Sequence, residues 1–478
     1  MAYLGINGSG NGHDNLGNLG LKDEAIEWAI KAGVETLARM PESLVRRLLG
    51  PSLSKSIPWQ EGVDFLLFTL GLLHTNWRRF HPNVRRRFVE NFFIHGGIRA
   101  TEKRKAACDK LGDFPTTMVL SPTMRCNLRC KGCYSYHYKR NDGLSTERID
   151  ELFNECENLG IHFVVITGGE PYLRHDLVDL MAAHPHIYFM TYTNGLILAE
   201  QNLVGRLADM GNVLPCMSVE GYEAETDARR GAGTHRKIRR LMREMREAGM
   251  LFGFSATPMR HNNDILLTDQ FIEYYMELGA RVGWYFSYMP VGLGADLDLM
   301  PTPEQRLYRY HRIRAIRKKH NFLAADFWCD GVLTGGCLSA GRTYFHVNAE
   351  GGVEPCVFQQ FYTDNINDKP LAECLASEFL TGVRSCLRDV ENPLRPCPVV
   401  DNPSMLRKIV KDFNPKPSQP ESINVLTGDL AKGLDKYAED IKAIFDPVFA
   451  ENHADMPWPL EPPGTWDEKE QAKKKKGH

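Results

Sequence analysis

Between residues 117 and 288, short apolar runs rich in β-branched and aromatic residues alternate with segments of helical periodicity. That alternation narrows the available folds more than any other feature of the chain. Strands are predicted at 117–120, 163–167, 187–192, 213–219, 252–256 and 282–288, and helical patterns lie between them, as at 146–159, 173–183 and 235–248. Strands apolar on both faces need cover on both sides, which crossover helices give to a parallel sheet. Six such units predict an α/β protein whose sheet curls into a partial (β/α)6 TIM-like barrel. In such barrels reactive groups gather where strands end and loops begin.

Around this barrel, assigned to residues 113–292, four further parts are expected. Residues 1–112 read as a helical N-terminal cap, with Ala25, Ile26, Trp28, Ala29 and Ala32 at helical spacing and Pro41, Pro51, Pro58 and Pro82 as breaks. Residues 293–328 read as a helical connector. Residues 329–403 are rich in Gly, Pro and Cys with weak periodicity, a composition that metal ligation can hold together. Residues 404–478 read as a helical tail with a disordered end around Lys473–Lys476.

The 478 residues carry 58 Lys and Arg against 60 Asp and Glu, so nothing global points to nucleic acid. The first residues show neither a basic segment nor an apolar one of signal-peptide type, and the longest apolar run, 65–73, is far short of the ~20 residues that cross a bilayer. Twelve cysteines without a secretion signal indicate a reducing, cytoplasmic setting and metal ligation rather than disulfides.

Three of those cysteines follow the first strand as Cys126-x3-Cys130-x2-Cys133, closed by Tyr134. Three thiolates at this spacing can hold three corners of a [4Fe–4S] cluster and leave one iron open to a small molecule. A buried helical stripe is opposed by the polar residues around them and by Gly132. A zinc site with His137 as fourth ligand, and a closed electron-transfer cluster, use the same thiolate chemistry. Position after a barrel strand favours the catalytic reading.

The triplet followed by Gly168-Gly169-Glu170-Pro171 after the second strand, Thr193-Asn194-Gly195 after the third and Ser218-Val219-Glu220-Gly221 after the fourth resembles the radical S-adenosylmethionine (radical SAM) superfamily. The resemblance implies a [4Fe–4S] cluster on Cys126, Cys130 and Cys133, with SAM chelating the open iron. Reductive cleavage of SAM would yield a 5′-deoxyadenosyl radical able to take hydrogen from an unactivated C–H bond. Gly168, Gly169 and Glu170 would contact SAM, Ser218, Glu220 and Asn194 would hydrogen-bond its ribose end, and Arg230, or Arg229, would pair with its carboxylate. Tyr134 would shield the cluster. A reduced flavodoxin- or ferredoxin-type protein would donate the electron. A non-catalytic iron–sulfur or zinc protein is the alternative class.

The stretch from Cys337 to Cys356, with its Gly351-Gly352 turn, and Arg395-Pro396-Cys397 look like the SPASM or shorter twitch extension of such enzymes. That likeness implies one auxiliary [4Fe–4S] cluster on Cys337, Cys356 and Cys397, with Cys329, Cys386, another group or the substrate as fourth ligand. Cys108, Cys156, Cys216 and Cys374 read as isolated buried thiols. In the N-terminal part, Trp77, Phe80, Phe88, Phe92 and Phe93 interleave with Arg78, Arg79 and Arg85–Arg87. This predicts a cap packed on the barrel with arginines in solvent, or else an amphipathic surface for peripheral membrane contact. The substrate is left between a peptide and a lipid or isoprenoid.

Overall fold

The computed structural model describes residues 30–36, 38, 40, 44–45, 47, 60–111, 115–135, 143–292, 294–454 and 456. The expectations placed on residues 1–29, on His137 and on the end from 457 lie outside these residues. The six predicted strands form, as β1 (Thr117–Leu120), β2 (Phe163–Ile166), β3 (Tyr188–Thr193), β4 (Val213–Val219), β5 (Gly253–Ala256) and β6 (Val282–Tyr285). Each pairs in parallel with the next.

The partial barrel is larger than the six units expected. The segment read as a helical connector does contain the helix Pro303–Lys319, but ends in β7 (Leu323–Asp326), which pairs in parallel with β6. The Cys-rich part supplies β8 (Tyr344–Val347), parallel to β1 with Thr117 opposite Tyr344 and Leu120 opposite Val347. The chain then turns through Gly351 and Gly352 into β9 (Val353–Glu354), antiparallel to β8. The sheet runs β7-β6-β5-β4-β3-β2-β1-β8-β9. The cysteine-rich segment thus adds two strands to the same sheet beside β1.

Strand residues divide by parity, as a pleat requires. Met118, Leu120, Val164 and Ile166 face the outer helices, where the helix Thr146–Asn158 buries Ile149, Leu152, Phe153 and Cys156. Those positions form a stripe at i, i+3, i+4 and i+7, and the Ser145 hydroxyl caps the helix by accepting from the Arg148 N–H at 3.1 Å. Burying side chains of this size contributes roughly 1.5–3 kcal/mol each. Val119, Val165, Met190 and Leu214 face the barrel interior.

Below the strands' first residues lie the helices Gln60–Asn76, Pro82–Val89 and Ala100–Leu111, joined by the π-helical stretch Glu90–Arg99. Phe80, Val84, Phe88 and Phe92 cluster with Tyr188, Met190 and Leu214, and the Phe92 and Tyr188 rings meet at 4.8 Å. Arg78, Arg79 and Arg86 remain exposed. These aromatics therefore face the barrel and not the surrounding medium. Among the described residues no helix is long and apolar enough to cross a membrane.

Candidate active site

A cavity of about 560 Å³ opens where β1–β4 end, and six cysteines line it: Cys126, Cys130, Cys133, Cys337, Cys356 and Cys397. All twelve cysteines are free thiols. The loop after β1 carries the first three. Gly132 bends it at φ +68°, and a side chain there would strike the Tyr288 ring. The Cys126 sulfur accepts from the Leu128 N–H at 3.4 Å, Cys133 sits 3.2 Å from the Ser135 hydroxyl, and Cys130 lies 3.9 Å from Arg230 Nη1. Burial pushes the Cys126 thiol up to about 11 and raises Cys130 despite the neighbouring Arg230. A bound cation reverses that penalty by stabilising the thiolate.

Gly168 and Gly169 owe their identity to this loop. Their backbone runs against it, Gly169 N–H donating to Thr123 O at 3.0 Å and Glu170 N–H to Arg125 O at 2.7 Å. A Cβ on Gly169 would lie 2.1 Å from Arg125 O, and one on Gly168 2.4 Å from Thr123 O. Tyr134 Oη lies 3.3 Å from Thr167 Oγ1 on the same side.

Glu170 lines the cavity, but its carboxylate is already engaged by the Thr193 hydroxyl at 2.7 Å, the Asn194 N–H at 2.8 Å and the Tyr172 N–H. Its burial lifts the pKa to about 7 against those hydrogen bonds. The side chain thus ties the loop after β2 to the loop after β3. Asn194 in turn donates from Nδ2 to Asn127 Oδ1 at 2.7 Å, reaching the cysteine loop.

Glu220 is engaged within the protein. It is fully buried and absent from the cavity wall, whereas Ser218 is present there. Its Oε1 accepts from Arg229 at 2.5 Å and Arg230 at 2.6 Å, and Oε2 from the Thr257 N–H at 3.3 Å. Oε1 is taken because the last turn of the helix Glu223–Arg230 comes back to the end of β4, and Oε2 by the loop after β5. Glu220 positions the two arginines, which do line the cavity.

Cys337, Cys356 and Cys397 converge from three places: the turn before β8, the end of the β8–β9 hairpin and the loop leading to the helix Pro403–Phe413. Burial, with repulsion from Cys337, lifts Cys356 to about 12; burial, then Asp401 and the other two thiols, raises Cys397 well above the ordinary thiol value. The Cys397 N–H donates to Asp401, which is held by the buried Arg306 at 2.5 Å. Neither Arg306 nor Asp401 stood out in the sequence, where a lone Arg in a basic helix reads as solvated. The two fourth-ligand candidates are elsewhere. Cys329 is buried in another apolar cluster with its S–H toward Arg306 O at 3.8 Å, and Cys386 packs on the outer core. Of the thiols read as buried, Cys108 is exposed and Cys156, Cys216 and Cys374 are buried.

Among the described residues no three His, Cys, Asp or Glu side chains converge on a single ion. Three thiols on each side of the cavity are the donor type that holds an iron–sulfur cubane, one thiolate per iron.

Residues 120–271 match the radical SAM superfamily model. The chain is 32% identical to the mycofactocin maturase MftC of Mycolicibacterium smegmatis over 282 residues, spanning 56% of this chain and 69% of that protein. It is 28% identical to the PqqA peptide cyclase of Rhodopseudomonas palustris over 275 residues, 53% and 70% of the two chains. The fold is similar to that of Streptococcus suis SuiB bound to S-adenosylmethionine, with a TM-score of 0.52, 19% identity and coverage of 63% and 76%. With its cysteine loop, Gly-Gly-Glu crossing and parallel barrel in this order, the chain belongs to the radical SAM superfamily, enzymes that use a [4Fe–4S] cluster and SAM.

Proposed function

We propose that Cys126, Cys130 and Cys133 hold the SAM-binding [4Fe–4S] cluster and that Cys337, Cys356 and Cys397 hold an auxiliary one. The enzyme would abstract hydrogen from an organic substrate lying between them. The observation that carries this reading is that both cysteine groups line one cavity, together with Gly168, Gly169, Asn194, Ser218 and Arg230. When bound, cluster and SAM supply a 5′-deoxyadenosyl radical, and a reduced flavodoxin- or ferredoxin-type protein supplies the electron.

The chain's own part is orientation and exclusion. Gly168 and Gly169 hold the cysteine loop at van der Waals contact. Glu220 aims Arg230 at the Cys130 side of the cavity, where a guanidinium can meet an anionic carboxylate. Tyr134 and Phe358 close the wall between the two cysteine groups, keeping water from a reactive carbon-centred species. The names of the relatives, a mycofactocin maturase and a PqqA peptide cyclase, support a peptide substrate.

Anaerobic reconstitution, reduction and addition of SAM test the proposal. Formation of 5′-deoxyadenosine and iron and sulfide contents of about eight each are expected for two cubanes. Stoichiometric zinc, or no 5′-deoxyadenosine, would reject it.

A further inference from the structure

Parallel barrels of this kind are normally solid, their inward side chains filling the interior in layers. Here the cavity does not stop beneath the cysteines. It continues past Val119, Val165, Met190 and Leu214 to Phe65 and Leu70 of the helix under the floor. The whole cavity, cysteine end included, is about 560 Å³, within the range of pockets that enclose small organic ligands. The wall is mostly apolar, broken by polar side chains such as Asn91, Thr116, Thr117, Ser218 and Ser255. Its charged side chains sit at the two ends, Glu170, Arg229 and Arg230 above and Arg104 at the floor. Arg104 is engaged by the carbonyls of Gly96, Gly97 and Ala100.

A second observation comes from the cysteine end. Trp328 Nε1 and Gln359 Oε1, both on residues of the cavity wall and each residue 5% exposed or less, have no hydrogen-bond partner in the protein. One is a donor and the other an acceptor, and buried groups of either kind are normally paired. A hydroxyl, carboxyl or ester placed there would serve one or both.

We infer that the bore takes the hydrocarbon chain of a lipid, with a neutral polar group of the same molecule beside Trp328 and Gln359. The substrate class is then an acyl or isoprenoid chain, in place of the peptide that the relatives' names support. This rests on the radical SAM reading above for the chemistry but not for the binding. An extended peptide in the bore would bury an N–H and a C=O at every residue against a wall that offers them few partners. A hydrocarbon chain makes no such demand.

The test uses the full-length, anaerobically reconstituted protein. Equilibrium dialysis with radiolabelled palmitic acid and with geranylgeraniol, and co-sedimentation with phosphatidylglycerol vesicles, distinguish the three sources of chain. Saturable binding of at least one, close to one chain per protein, is expected. Leu214→Trp and, independently, Val165→Trp place an indole across the bore and are expected to weaken it about tenfold or more. Gln359→Leu is expected to weaken binding of the chain with the polar group and not of hexadecane. In parallel, perdeuterated chains and a 20-residue peptide of deuterated apolar residues are turned over with SAM. Breaking one C–D bond and forming one C5′–D bond puts deuterium into 5′-deoxyadenosine. No saturable binding of any chain, binding unchanged in both Trp variants, or deuterium only from the peptide overturns the inference. SAM cleavage without chain binding sinks this inference alone, whereas chain binding without SAM cleavage upholds the bore and sinks the radical reading.

Discussion

The rings of Tyr134 and Phe358 meet edge to face with centroids 5.6 Å apart. Tyr134 follows Cys133, and Phe358 lies two residues beyond Cys356, so this one contact joins the two cysteine-bearing loops. Trp328 packs on the far side of Phe358 at 6.0 Å. Edge-to-face pairs contribute about 0.5–1.5 kcal/mol beyond burial. Phe358→Ala is expected to destabilise the protein by about 2 kcal/mol. It should also raise the ratio of SAM cleaved to product formed, because water gains access between the loops. A melting curve and a product-to-5′-deoxyadenosine ratio would check both, and an unchanged ratio would show that the contact is only structural.

Removing a thiol of the first group should act differently from removing one of the second. Cys126→Ala, Cys130→Ala or Cys133→Ala is expected to abolish 5′-deoxyadenosine formation and remove about half the iron. Cys397→Ala should also lower iron but leave SAM cleavage measurable while product disappears. Iron assay and chromatographic detection of 5′-deoxyadenosine separate the cases. Abolition of cleavage by Cys397→Ala would refute the division of labour.

Gly169→Ala places a methyl 2.1 Å from Arg125 O, which cannot move without the cysteine loop. Overpacking of this kind costs about 1–3 kcal/mol. Here it should appear as iron lost from a protein that retains every ligand. Normal iron content in the purified variant would count against the crossing as the reason for the glycine.

Glu220→Gln leaves Arg229 and Arg230 without their shared carboxylate. Breaking a buried pair from one side destabilises by about 3–5 kcal/mol. Arg230 also loses its aim, so KM for SAM should rise more than kcat falls. Equal effects on both, with a normal KM, would argue for a purely structural role.

A pH dependence follows from the histidines at the barrel floor. His95 is held near 3 and His162 near 4, in each case chiefly by burial, with His186 and His162 adding repulsion at His95. Both folded values lie below the ordinary value of 6.5, so the fold favours the neutral rings. Their contribution is complete above 6.5 and is lost as pH falls toward 3–4, because the unfolded chain takes up protons first. His95 alone should remove about 2 kcal/mol of stability at pH 5. Thermal melts at pH 7.5 and 5.0 should show the loss, and His95→Asn should flatten it.

Much of the barrel was readable because β1–β6 are apolar on both faces and stand between strongly periodic helices. β7 follows a segment read as a helical connector, and β8 lies in a Gly- and Cys-rich stretch of weak periodicity and forms by pairing with β1, far away in sequence, so neither was readable. The cysteine groups were legible from spacing and from Gly351-Gly352. Glu220 has partners that the sequence did not show. An acidic residue at a strand end looks open to a ligand, and only the fold reveals two arginines nine and ten residues on that curl back to take it. Asn127 and Arg306 carried no local signal, as their partners come from other loops.

The pairing of β1 with β8 also sets an order of events in time. Thr117 must wait for Tyr344, which leaves the ribosome 344 − 117 = 227 residues later. At ~5–20 residues per second that is roughly 11–45 s during which the edge of β1, and the cysteine loop that follows it, lacks one neighbour. Completion of the sheet beside the cysteine loop is therefore tied to synthesis of β8. A nascent chain arrested before β8 should be the form most exposed to oxidation and to strand-edge aggregation.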